Sequence, residues 1–187
     1  MRLSHLLALM LAPCTVQSPS VVEASDLTDN EALTGIFEED QADRDSGFDG
    51  IDWDEVNERD ADRRQRTLEI LRRGEVRTSA DFLHAAYVFQ HGITVDDYRL
   101  ALSLSWVAST IDPENEEAKW LTASAWDRLL KEQGQPQWYG TQLERFGDAP
   151  WQIYDIQESA VTDEQRKQMG VPPLEEILRG VAEMNTK

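Results

Sequence analysis

Residues 79–134, SADFLHAAYVFQHGITVDDYRLALSLSWVASTIDPENEEAKWLTASAWDRLLKEQG, decide the fold. Apolar residues recur there at spacings of three and four, the period of one helix face, and breaker residues divide the stretch into three. Ser79 caps a helix that carries Phe82, Leu83, Ala85, Ala86, Val88 and Phe89 and stops at Gly92. Thr94 with Asp97 three residues on forms a capping box for the next, with Tyr98, Ala101, Leu102, Ser105 and Ala108 on its face. Asp112-Pro113 opens a further helix with Ala118, Leu121, Ala125 and Leu129 as its stripe, ending at Gly134.

Working outward, Asp52 or Asp54 caps a thinly amphipathic helix that runs to about Arg73, with Gly74 just past its end. Its arginines, Arg63, Arg64, Arg66, Arg72 and Arg73, are expected on a solvated face. Downstream, residues 135–142 are polar and aromatic with two breakers and predict a loop; residues 151–156 can supply a partner strand. Thr162 starts a short helix through Met169, and Pro172-Pro173 launches a last one to about Met184. The fold class is therefore mainly all-α: a compact antiparallel helical bundle over residues 52–187, with a small extended region near 137–156. The turn Ile111-Asp112-Pro113-Glu114-Asn115 resembles that of a tetratricopeptide repeat, but only one such hairpin is present and no array is expected.

The chain has 187 residues and a net charge of -18. That balance disfavours nucleic acid or an anionic membrane surface as a partner. Met1-Arg2 followed by an apolar run over residues 6–12 has the form of an export signal too short to span a bilayer. The run ends at Leu11-Ala12-Pro13-Cys14, which resembles a bacterial lipobox with Cys14, the single cysteine, as the lipidated residue. Pro13 departs from the small residue usual there, so ordinary export with cleavage nearby and an uncleaved cytoplasmic chain stay open as alternatives. Residues 1–14 are thus an export signal, and residues 15–51, rich in Ser, Thr, Asp and Glu, are expected to be a flexible acidic tether. The contact with a membrane is limited to that lipid anchor, and the address is periplasmic or membrane-anchored, with secretion as the alternative.

Two metal patterns fail on spacing. Asp43, Asp45, Asp49 and Glu55 resemble a calcium loop, but with Gly50 at the sharp turn the closing acid falls one residue early. His84 and His91 stand two helical turns apart, too far for a shared zinc shell. With no nucleophile elbow, phosphate loop or His-Glu-x-x-His helix, neither metal nor cofactor is expected, and catalysis stays open.

Several short strings carry a resemblance: Arg59-Asp60 with Arg64, Ala85-Ala86 with Gln90-His91-Gly92, Lys119-Trp120-Leu121 through Asp127-Arg128, Gly134-Gln135-Pro136-Gln137, Tyr139-Gly140-Thr141-Gln142, and Val161-Thr162-Asp163-Glu164 with Gly170-Val171-Pro172-Pro173-Leu174. Together they resemble a bacterial domain family of uncharacterised function. The resemblance covers about two thirds of the chain and implies a helical fold without an activity. The candidate site is a pocket where the helix ending at His91 and the helix carrying Asp127 and Arg128 meet the loop after Gly134. There His91 is the candidate acid or base, Asp127 its carboxylate orienter and Arg128 an anion holder. Gln90, His91, Arg128, Gln137, Tyr139 and Gln142 are the candidate ligand-binding set. The alternative for each is structural: a histidine capping a helix end, an Asp-Arg pair bridging to a loop. The functional expectation is an exported binding or scaffold domain of the bacterial envelope, holding a protein or a small polar ligand. The competing one is an unfamiliar hydrolase or transferase built on His91, Asp127 and Arg128.

Overall fold

Three threonines, each followed three residues later by Asp or Gln, start three of the helices. Thr78 pairs with Asp81, Thr94 with Asp97 and Thr162 with Gln165, and each pair satisfies two otherwise unpaired backbone N–H groups at a helix start. The computed structural model describes residues 27–45 and 50–186. Over those residues the chain runs through α1 (Glu31–Ala42), α2 (Trp53–Arg72), α3 (Ser79–Gln90), α4 (Val95–Ile111), α5 (Glu116–Glu132), β1 (Leu143–Glu144), β2 (Gln152–Ile153), α6 (Asp163–Gln168) and α7 (Leu174–Met184). The expected export signal with Cys14 lies outside the described residues, as does the first part of the expected tether, residues 15–26.

Helices α3, α4 and α5 pack in succession through short turns and form the centre; α1 covers α3, and α2 lies against both α1 and α3. The core joins Leu33 and Ile36 of α1, Ile70 of α2, Leu83, Val88 and Phe89 of α3, Leu104 of α4 and Leu121 of α5. Ala85, Ala86, Ala101, Ala108, Ala118 and Ala125 lie between them and let the helix axes approach closely. Burial of each large side chain contributes roughly 1.5–3 kcal/mol. Sheet content is small: β1 and β2 pair antiparallel, Leu143 with Ile153, and Gln137 bridges Ile156. No helix among the described residues is long and apolar enough to cross a membrane.

Four sequence expectations are corrected. Residues 15–51 are not all tether, because α1 forms within them and buries Leu33, Ile36 and Asp40. The cap of α3 is Thr78; Ser79 instead donates its hydroxyl to the Ala108 carbonyl, 2.9 Å away, tying the start of α3 to the end of α4. Asn115, not Asp112-Pro113, caps α5, since its side chain accepts from the Ala118 N–H at 2.9 Å. Finally, Arg63 is buried, because the inward stripe of α2 is Val56, Asp60, Arg63, Thr67 and Ile70, polar at its centre.

Candidate functional site

The polar stripe of α2 and the end of α1 build one wall of the site. Asp40, at the last inward turn of α1, is fully buried, and its carboxylate accepts from Arg44 and Gln41 and lies beside Arg63. Asp60 of α2 bridges Arg44 and Arg63, and Arg63 reaches on to Asp43 at 2.8 Å. Burial works against ionising Asp60, but the Arg44 and Arg63 guanidiniums more than offset it and hold its carboxyl below the usual range. Asp43 is likewise lowered, first by its hydrogen bond from Arg59. A buried charge is tolerated only when so paired, and this network is why a charged face can be an inner face.

His91, the residue that ends α3, projects onto this wall. Its Nδ1 is 2.8 and 3.0 Å from the two Asp40 carboxylate oxygens. A carboxylate only accepts, so Nδ1–H donates, and Nε2 is the ring nitrogen that Asp40 leaves unengaged. Gly92 follows because nothing larger fits: a Cβ there would collide with that of Asp97, whose carboxylate closes the cap of α4.

Beside His91 a cleft of about 280 Å³ is lined by Gln90, His91, Ser124, Arg128 and Gln142. His91, Arg128 and Leu143 also border a wider cleft of about 780 Å³, lined in addition by Arg44, Lys131 and Arg145, of which Arg44 is paired with Asp60 and Lys131 with Glu144. Four predicted residues, Gln90, His91, Arg128 and Gln142, thus do converge. Gln90 and Gln142 both donate to the Ser124 hydroxyl, at 3.2 and 3.3 Å, while the Gln90 Oε1 is buried without a hydrogen-bond partner. Arg128 lies over the Tyr98 ring, 5.3 Å from its centroid, and makes one long contact of 3.4 Å with Gln142 Oε1. No carboxylate pairs with it among the described residues.

Asp127 and Gln137 turn out otherwise. Asp127 is fully buried and accepts from the Trp138, Tyr139 and Thr141 amides and the Thr141 hydroxyl, at 2.8–3.2 Å. Its oxygens are used in shaping the loop, so it does not orient His91; Asp40 does. Gln137, also fully buried, donates to the Gln142 and Tyr154 carbonyls and accepts from the Gln142 amide. Both are struts that fix where Gln142 stands. Tyr139 turns away from this cleft to the opposite side of α5, with its phenol pushed up by burial and then by Asp127. The sequence reasoning missed Asp40, Arg44, Asp60 and Arg63. One signal was available: Leu33, Ile36 and Asp40 at spacings of three and four, with the stripe's last place taken by an acid.

No curated protein and no solved structure matches the chain. A family profile does match, over residues 82–185, a span that begins inside α3 and so takes in His91, Arg128 and the loop but not Asp40, Asp60 or Arg63. The chain belongs to that family, one of unknown function designated DUF6624.

Proposed function

We propose that this chain is an exported helical binding domain of the bacterial cell envelope, and that the cleft beside His91 holds a small ligand bearing a carboxylate or phosphate. The observation that carries this is Arg128, a half-buried guanidinium in the cleft wall that lacks a carboxylate partner among the described residues, although the chain holds 36 acids against 18 lysines and arginines. A planar fork of N–H donors complements an oxyanion. His91, braced by Asp40, and the side chains of Gln90 and Gln142 supply further polar contacts. Export is supported by the Met1-Arg2 start, the apolar run after it and Cys14; the tetratricopeptide-like turn between α4 and α5 agrees with a binding role.

The test is thermal unfolding of the full chain with succinate or inorganic phosphate, ionic strength held constant with NaCl. A ligand that binds only the folded chain raises Tm with its concentration. The expected outcome is a rise that Arg128→Ala abolishes and Arg128→Lys partly keeps. No shift with either anion, or the same shift in Arg128→Ala, overturns the reading. A second reading rests on the 2.8 Å contact of His91 with Asp40. An imidazole held this way can serve as general base through Nε2, so the hydrolase or transferase alternative keeps His91 and Arg128 and replaces Asp127 by Asp40.

A further inference from the structure

On the far side of α5 lies a second cavity, built from other residues. Its volume is about 540 Å³, within the range of small-molecule sites. Three indoles and a phenol line it, Trp106 of α4, Trp126 of α5 and Trp138 and Tyr139 of the following loop, and the rest of the wall is uncharged, with Leu102 and Met169 its larger apolar members. Trp126 and Trp138 meet at 67° with centroids 4.9 Å apart, so they form two differently inclined walls rather than one stack. Trp106 is 61% exposed.

We propose that this cavity binds an organic cation of the alkylated-ammonium type. The argument is charge complementarity. Among the described residues no Lys, Arg, Asp or Glu lines the cavity, so a ligand finds there neither a repelling cation nor an ion-pair partner in its wall. The chain as a whole carries a charge of -18, which raises the local concentration of cations and depletes anions. Aromatic faces are negative at their centres and attract a cation placed over them, Trp most strongly. An alkylated ammonium sheds its water more readily than a primary ammonium, and its methyl groups suit the Leu102 and Met169 surface. A neutral apolar ligand would use the same walls but gain nothing from the charge. The site is independent of the cleft at Arg128.

The experiment compares choline with 3,3-dimethyl-1-butanol, which has the same shape with carbon in place of the charged nitrogen. Both are titrated into the full chain by calorimetry and indole fluorescence. Choline is expected to bind at least about tenfold more tightly than the neutral isostere, with Trp106→Ala losing roughly tenfold in affinity and Trp106→Phe less. Phe146→Ala, an exposed aromatic outside the cavity, is expected to leave binding unchanged. Trp138→Ala provides a second variant should Trp106→Ala fold poorly. Equal affinity for the two compounds reduces the cavity to an apolar slot and overturns the proposal, as does an absence of choline binding or retention of full affinity when Trp106 or Trp138 is replaced.

Discussion

At Asp127 one carboxylate organises a loop. Oδ1 accepts from the Trp138 and Tyr139 amides and Oδ2 from the Thr141 amide and hydroxyl, so the turn over residues 138–141 is wound about a single side chain of α5. Truncation would leave three partly buried amides short of an acceptor. Asp127→Ala is therefore expected to lower unfolding free energy by about 3 kcal/mol, a stranded buried donor costing roughly 1–3 kcal/mol before water enters. Asp127→Asn keeps the shape but must turn an NH₂ toward one set of donors, and about 1–2 kcal/mol is expected. Urea unfolding measures both; a loss under about 1 kcal/mol for the alanine variant would show the loop to be held by something else. The importance of Gln137 and Gln142 was legible in the sequence, because polar residues among Gly and Pro breakers have backbone to satisfy, and Asp127 stood out beside Arg128 late in the helix that precedes them. Their roles were not. Whether a carboxylate faces a neighbouring amide or an imidazole depends on how α5 is rotated against the loop, and no local spacing encodes that rotation.

The same division runs through the elements. The capping boxes at Thr94 and Thr162 are local in the chain and could be read directly, whereas α1 could not. Its stripe of Leu33, Ile36 and Asp40 becomes amphipathic only when Arg44 and Arg63 neutralise Asp40 and His91 hydrogen-bonds to it, and two of those three partners come from other helices. The docking of α1 is also expected to depend on pH through His84 of α3. That ring stacks on Phe37 at a centroid distance of 4.3 Å and lies 3.4 Å from the Thr34 hydroxyl. Burial lowers its pKa from the ordinary 6.5, with Asp29, Asp81, Glu117 and Glu38 only partly opposing. The folded chain thus binds this proton less readily than the unfolded chain. The contribution of the neutral, stacked ring is complete above pH 6.5 and declines as pH falls below it. Asp60 and Asp43 act in a separate window: their folded pKa values lie under the ordinary 3.8, so their contribution is held at neutral pH and lost only as pH falls beneath that value. Tm is expected to fall between about pH 7 and 5, with a shallower slope in His84→Phe, which keeps the stack without the proton. Equal slopes in the two proteins would remove His84 from the account.

For the molecule as a whole the main electrostatic fact is the charge of -18, and the structure shows how unevenly it is distributed. The acids that matter for packing, Asp40, Asp60, Asp81 and Asp127, are buried and each is bonded to a guanidinium or to backbone amides. Most of the others are exposed, and several run together at helix starts: Asp54 with Glu55, Glu116 with Glu117, Glu175 with Glu176. They favour the helix dipoles one by one but repel each other across the surface. Added salt screens the two classes unequally. Charges in water are largely decoupled beyond a Debye length of about 10 Å at 0.1 M, while buried pairs are shielded far less. Salt should then relieve the repulsion and leave the Asp40, Asp60 and Arg63 network nearly intact. Tm is expected to rise by about 2–5 °C between roughly 20 and 300 mM NaCl, which for a chain of this size corresponds to roughly 1 kcal/mol. Scanning calorimetry at fixed pH decides it. A fall in Tm over that range would mean that exposed pairs such as Arg66 with Glu39 and Arg59 with Asp43 outweigh the repulsion, and that the acidic surface is held together by its own cations rather than strained by its excess of acids.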